Sequence, residues 1–278
     1  MTSRTILITG AGTGIGRDTA SALVARGHTV YATTHSESEV AGLQQALGAA
    51  ATVFKLDITS AEDRARIADL DVDVLINNAA VARSGSLAEV DIDTVRASFE
   101  VNVFSTLALS QLAIKGMIER GGGSVIFISS IAGRVPFPFL MPYSMTKFAL
   151  SAAAAGLRKE MEALGKGIHV SVVEPGPYST GFNQRLNDSR FEWMERESLF
   201  SKAQVEKLKA AAARELRLAE TGSTKSIVRK IVAAAEARKP RLRYVAPWHF
   251  ALFVRVMRIL GARTMPPRKM LFIDGKGP

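Results

Sequence analysis

The chain contains no cysteine. Disulfides, thiolate zinc sites, iron–sulfur clusters and a cysteine nucleophile are therefore excluded. The four histidines, His28, His35, His169 and His249, are scattered, and none is paired at metal-ligand spacing, so no metal site is expected. No stretch reaches ~18 uninterrupted apolar residues, so no membrane-spanning helix is expected. The first residues show neither a long apolar run nor a cleavage pattern, which gives the expectation of no secretory signal and a cytoplasmic location.

What is present suits a folded globule. The 278 residues are 47% hydrophobic and 22% charged, which rules out a disordered or collagen-like chain. A chain of this length buries most of its apolar surface without covalent staples. The net charge is +10, but it is not spread evenly. Ten of the 36 basic side chains, and only one of the 26 acids, lie in residues 238–278, so the rest of the chain is nearly neutral. No basic recognition element is apparent, and nucleic acid is not expected as a partner.

Short β-branched runs at 5–9, 29–32, 52–56, 73–76, 124–128 and 169–173 alternate with helical patterns at 14–26, 37–47, 61–69, 91–119 and 143–164. Such alternation predicts an α/β fold with a parallel sheet covered by helices on both faces. After Pro177 the pattern becomes helical, over 183–219 and 223–239. The expectation is one domain over 1–278, with 178–222 as a lid over substrate and 240–278 as a basic C-terminal extension.

The run Thr9-Gly-Ala-Gly-Thr-Gly-Ile-Gly16 joins the first strand to the first helix. Glycine there permits a tight turn and lets a pyrophosphate approach the main chain, while the helix start favours the anion. Gly10, Gly12, Thr13, Gly14, Ile15 and Gly16 are thus candidate binders; a tight strand–helix turn alone would also want glycine. The second strand ends in Thr33, Thr34, His35 and Ser36. No acid stands there to grip an adenosine 2′-hydroxyl, and hydroxyls with an imidazole suit a 2′-phosphate better, so NADP(H) is favoured with NAD(H) as the alternative. Asp57, followed by Ile58, could accept from an adenine amino group or cap the next helix.

Tyr143 and Lys147 lie four apart where a helix begins, so phenol and ammonium can share one face. A nearby cation favours the phenolate and lowers a pKa that is otherwise ~10. Such a tyrosine can exchange a proton with an alcohol or ketone. Ser130 ends the strand Val125-Ile-Phe-Ile-Ser-Ser130, at the sheet edge where ligands gather, and could hold the substrate oxygen; Ser129 is its close rival.

Over roughly residues 4–185 the chain resembles the single-domain short-chain dehydrogenases/reductases. Gly10, Gly14 and Gly16 match the family's Thr-Gly-x-x-x-Gly-x-Gly turn, and Asn77-Asn78-Ala79-Ala80 its Asn-Asn-Ala-Gly segment, with Ala80 in place of glycine. Ser130, Tyr143 and Lys147 match its catalytic residues, Asn102 its proton-relay asparagine, and Pro175-Gly176-Pro-Tyr-Ser-Thr180 the segment that seats the nicotinamide carboxamide. The resemblance implies a Rossmann fold with a seven-stranded sheet, Asn78 and Ala79 at the cofactor, and Lys147 binding the nicotinamide ribose. It also implies homodimers or homotetramers, paired through the helices at 91–119 and 143–164. The segments Val30-Tyr-Ala-Thr, Val101-Asn-Val-Phe and Val172-Val-Glu-Pro-Gly176 are most similar to the 17β-hydroxysteroid and retinol dehydrogenase-like group.

The apolar stretch Arg134-Val-Pro-Phe-Pro-Phe-Leu-Met141 lies between Ser130 and Tyr143, and its prolines imply an extended path beside the site. Tyr178, Phe182, Leu186, Phe191, Trp193, Met194, Leu199 and Phe200 follow the carboxamide segment. They predict a lipophilic pocket for a hydrophobic secondary alcohol or its ketone, or, equally, helices packed onto the domain. Two alternatives stand beside this reading: a 3-oxoacyl reductase and a non-catalytic nucleotide-binding protein. The tail from Pro247 to Leu260 is apolar with Arg255 and Arg258 inserted, which fits packing against protein or peripheral contact with an anionic membrane.

Overall fold

The computed structural model describes residues 3–259. Seven strands form one sheet: β1 (Thr5–Ile8), β2 (Thr29–Thr34), β3 (Ala51–Lys55), β4 (Val74–Asn77), β5 (Gly123–Ile128), β6 (Ile168–Pro175) and β7 (Arg243–Ala246). Their order is β3-β2-β1-β4-β5-β6-β7, and every pairing is parallel. The chain winds outward from β1 to β3, then returns to β4 beside β1 and winds the other way. This is the doubly wound Rossmann arrangement, and the reversal between β1 and β4 opens a crevice at the strands' carboxyl ends.

Continuous apolar strands are what a sheet covered on both faces requires. Ile6 and Ile8 pack on one face with Leu23 of α1 (Gly14–Val24), Leu43 of α2 (Val40–Leu47) and Ile231 of α9 (Lys225–Glu236). Leu7, Leu75 and Phe127 point to the other face, against Leu109 and Met117 of α5 (Thr106–Glu119) and Leu150 of α6 (Met141–Leu164). The short α3 (Ala61–Ala65) follows β3, and its N-cap is Ser60, whose side chain accepts from the Asp63 amide. Asp57 instead accepts from the backbone and hydroxyl of Thr59, so it organises the turn before that helix.

The helical pattern over 91–119 is interrupted. α4 (Ile92–Phe99) passes into a π-turn at Glu100–Ser105 before α5 resumes. That run is long and apolar enough to cross a membrane by composition, yet half of its most apolar window is buried inside the fold, as in a core helix.

The pattern over 183–219 resolves into two helices, α7 (Phe182–Met194) and α8 (Lys202–Ala219), because Ser201 and Gln204 form a capping box that starts the second. Phe191, Met194, Val205, Leu208 and Ala212 form a small core between them, with Trp193 and Phe200 packed against it. Those aromatics therefore serve helix packing, and Leu199 points to solvent. The segment between Ser130 and Tyr143 is not extended throughout. Leu140 donates to the Phe137 carbonyl at 3.1 Å, and Phe139 has a φ of 62°, so Pro138 and Phe139 make a turn.

Beyond β7, α10 (Trp248–Ile259) packs Val254 and Met257 against Ile131 and Val135. Its other side exposes Trp248, Leu252, Val256 and Ile259. The basic residues Arg263, Arg268, Lys269 and Lys276 lie outside the described residues.

Candidate active site

A cleft of about 1030 Å³ opens at the carboxyl edge of the sheet, over the β1/β4 switch. Its floor at one end is the glycine turn. Gly10 and Gly14 have φ of 64° and 56°, a backbone region that side chains disfavour. A Cβ at Gly16 would lie 2.3 Å from the Gly10 carbonyl oxygen, and one at Gly14 would lie 2.9 Å from Thr180. Thr13 precedes α1 in an extended conformation and makes no side-chain cap, which leaves the first-turn amides for an anion.

Thr9 and Asn78 hold this turn in place. The Thr9 hydroxyl accepts from the amides of Asn78 and Ala79, each at 3.0 Å. The Asn78 side chain donates to the carbonyls of Thr9 and Gly10 at 3.0 and 2.8 Å. Ala80 has no positive φ, so alanine replaces the family's glycine without backbone strain.

At the second strand's end the structure separates the candidates. Thr34 and His35 line the cleft. Thr33 does not: it is fully buried, its hydroxyl directed at the Ile8 carbonyl, and its own carbonyl accepts from the Ala11 amide. Thr33 is therefore corrected from a cofactor contact to a support for the turn. His35 is exposed, with Nδ1 3.8 Å from the Asp57 carboxylate. Burial alone would raise the Asp57 carboxyl, but hydrogen bonds from the Thr59 side chain and backbone, with His35 and Lys55 nearby, hold it below the usual carboxylate range. Glu39, absent from the sequence candidates, also lines the cleft; its carboxylate would lie 3.5 Å from a Cβ at Gly12. Ile58 stands beside Asp57 along the same wall.

At the other end Ser130, Tyr143 and Lys147 meet. Tyr143, near the start of α6, lines the cleft with Ser130, whose oxygen accepts from the Ala132 amide at 3.1 Å. Ser129 is the structural neighbour: its hydroxyl bonds the Lys147 carbonyl and Ser151, pinning α6 to β5. Lys147 is buried, donates to the Ile128 carbonyl at 2.9 Å, and lies 5.6 Å from the Tyr143 ring centre. Burial pushes the Tyr143 phenol well above its ordinary range, outweighing the lowering by Ser130. The expectation of a phenol made acidic by Lys147 is thus corrected, because desolvation dominates here. Burial likewise pushes the lysine down to about 8.

Asn102 does not line the cleft. Its oxygen accepts from the Val81 amide at 2.8 Å, and its nitrogen donates to the Val81 carbonyl and the Thr146 hydroxyl, each at 3.1 Å. Thr146 in turn donates to the Tyr143 carbonyl at 2.7 Å. The widened π-turn carries this asparagine, and its contacts make it a strut between β4's loop and the first turn of α6.

Pro175, Gly176 and Thr180 line the cleft after β6. Phe250 and Phe253 of α10 join them, and a Cβ at Gly176 would lie 2.6 Å from the Phe250 ring. Opposite, the Phe182 ring lies tilted against Tyr143, centres 5.6 Å apart, and Leu186, Phe137 and Leu140 complete an apolar wall. Glycine backbone that a Cβ would block, an uncapped helix start and a polar rim fit a nicotinamide dinucleotide laid across the switch.

Comparison with known proteins agrees. Residues 4–190 match the family model described as short chain dehydrogenase. The chain belongs to the short-chain dehydrogenase family. It is similar to ketoacyl reductase HetN of Nostoc sp., 30% identical over 185 residues, covering 63% of this chain and 64% of that protein. It is also similar to human 17-beta-hydroxysteroid dehydrogenase 13, 30% identical over 189 residues, covering 64% of this chain and 63% of the relative. Each match spans less than two thirds of the relative's length. A short-chain dehydrogenase structure from Streptomyces avermitilis superimposes with a TM-score of 0.77 at 30% identity, covering 94% of both chains. The family thus fits the sequence resemblance, and the likeness to a 17β-hydroxysteroid dehydrogenase sits within it.

Proposed function

We propose that this chain is an oxidoreductase that interconverts a hydrophobic secondary alcohol and its ketone. The bound nicotinamide cofactor supplies or accepts the hydride. One observation carries the reading: Tyr143 and Ser130 line one cleft walled by Phe182 and Leu186, with the Lys147 amine buried alongside, 5.6 Å from the Tyr143 ring centre. Ser130 orients the substrate oxygen. Tyr143, kept protonated by burial, is a proton donor at neutral pH, which suits ketone reduction. Lys147 holds positive charge near the phenol, and Asn102 fixes the backbone on which both depend.

The cofactor preference follows from charge. Thr33 is withdrawn, while Asp57 and Glu39 bring two carboxylates to the adenosine end. Carboxylates accept from a 2′-hydroxyl and repel a 2′-phosphate. This moves the reading from NADP(H) to NAD(H). A 3-oxoacyl substrate remains the second reading, favoured by the similarity to HetN.

Tyr143→Phe is expected to abolish turnover across a panel of ketones, followed by absorbance of the reduced nicotinamide, while cofactor binding by calorimetry persists. Retained turnover would reject Tyr143 as the proton donor.

A further inference from the structure

The cleft holds a second polar centre, well removed from Tyr143. Phe182, Leu186 and Arg190 follow one another at four-residue spacing on α7, so they share the face that lines the cleft. Phe182 packs edge-tilted against Tyr143, and Leu186 packs beside it. From Phe182 to Arg190 the helix rises about 12 Å. The reacting end of the cleft and the Arg190 end are therefore separated by an apolar wall.

Arg190 is only 8% exposed. Its Nε is buried with no hydrogen-bond partner, and among the described residues no carboxylate lies within ion-pair distance of it. Its guanidinium stacks 5.3 Å from the Phe191 ring, and burial holds its pKa down to about 10. A buried cation without an ion-pair partner in contact is costly, and the Phe191 ring does not satisfy its Nε–H donor. Among the described residues the acid whose charge reaches it is Glu215, an exposed residue of α8 on the same cleft.

We propose that Arg190 receives a carboxylate on the substrate, roughly 10 Å from the reacting carbon, so that the substrate class is a long apolar oxo or hydroxy acid. The inference rests on the redox reading given above. The planar guanidinium presents paired donors that match a carboxylate, and the apolar span between the two polar ends fits Phe182, Leu186, Phe137 and Leu140. A short 2-oxo acid does not reach both ends. Glu215 opposes an incoming anion, so its charge works against binding at Arg190.

The test uses an unbranched methyl-ketone acid of about ten carbons, whose keto carbon and carboxylate lie ~10 Å apart when extended, and its methyl ester. Calorimetry on the full chain loaded with NAD is expected to show the acid bound about tenfold more tightly than the ester. Arg190→Gln is expected to bring that ratio close to one, and Glu215→Gln to enlarge it. The acid-to-ester ratio of kcat/KM should move in the same way. Circular dichroism and cofactor titration check that each variant folds. Should Arg190→Gln fail to fold, Arg190→Lys keeps the charge without the fork and is expected to give an intermediate ratio.

Equal affinity for acid and ester in the unmodified protein overturns the proposal. So does an Arg190→Gln variant, or failing that Arg190→Lys, that weakens both ligands alike. If neither ligand is turned over by the unmodified protein, the redox reading fails separately, while the binding ratio still decides the role of Arg190.

Discussion

The Lys147 ammonium lies 5.6 Å from the centre of the Tyr143 ring and donates to the Ile128 carbonyl at 2.9 Å, with both side chains buried between β5 and α6. The lysine is thus a charged group held in low dielectric, with its pKa pushed down to about 8 by burial. The unfolded chain keeps the ordinary lysine value and binds more protons between about pH 8 and 10.5. Stability from this group is therefore lowest at neutral pH and recovers as pH rises through that window. The cost at pH 7 is at most ~3 kcal/mol, and the hydrogen bond to Ile128 offsets about 1 kcal/mol of it.

Lys147→Met is accordingly expected to be more stable than the unmodified protein by about 1–2 kcal/mol at pH 7, with the difference closing toward pH 10. Urea unfolding across that range measures it. A variant destabilised equally at every pH would show that the lysine's hydrogen bond, not its buried charge, dominates. Turnover is expected to fall sharply in the same variant.

The glycine turn separates two positions that look alike in sequence. A Cβ at Gly16 would meet the Gly10 carbonyl oxygen at 2.3 Å and the Asn78 amide at 2.5 Å, both fixed by the Thr9–Asn78 network. At Gly12 the nearest atoms belong to the flexible Glu39 side chain at 3.5 Å. Gly16→Ala is expected to weaken cofactor binding at least tenfold and lower stability by about 2 kcal/mol, while Gly12→Ala changes either only slightly. Fluorescence titration with NADH distinguishes them, and equal effects would reject the turn geometry.

Cofactor choice gives a third expectation. Glu39 is exposed enough to move but sits against the loop that would receive the adenosine ribose. Glu39→Gln is expected to improve NADPH affinity about tenfold while leaving NADH within a few-fold. NADPH binding tighter than NADH in the unmodified protein would overturn the assignment of the two carboxylates.

The sheet was readable because its strands carry unbroken apolar runs between glycine stops: Ile6-Leu-Ile8 and Val125-Ile-Phe-Ile128 declare strands buried on both faces. β7 was not located, since Arg243-Tyr-Val-Ala246 is four residues long and its first residue still belongs to the basic run that starts at Arg238. Ser130, Tyr143 and Lys147 were legible from their spacing. Thr33 was misread because strand alternation, which decides whether a side chain faces the cleft or the sheet, depends on a register that only the partner strands set. Arg190 and Glu39 carry no local motif. Their importance comes from burial and approach across helices distant in sequence, which no window along the chain reveals.

Asn102 can be assigned by separating stability from rate. Its side chain satisfies both backbone groups of Val81 and the hydroxyl of Thr146, which is tied to the Tyr143 carbonyl. Removing it leaves the Val81 amide and carbonyl, which lie in the cleft wall, without those partners. Asn102→Ala is expected to cost about 2–3 kcal/mol in urea unfolding with an unchanged m value. Turnover should fall through kcat, because the first turn of α6 loses the strut that fixes Tyr143. Thr146→Val should reproduce a smaller share of both effects, since it breaks one link of the same chain. If Asn102→Ala instead lowers kcat with full stability retained, and Thr146→Val has no effect, the residue acts directly on the proton path and the strut assignment fails.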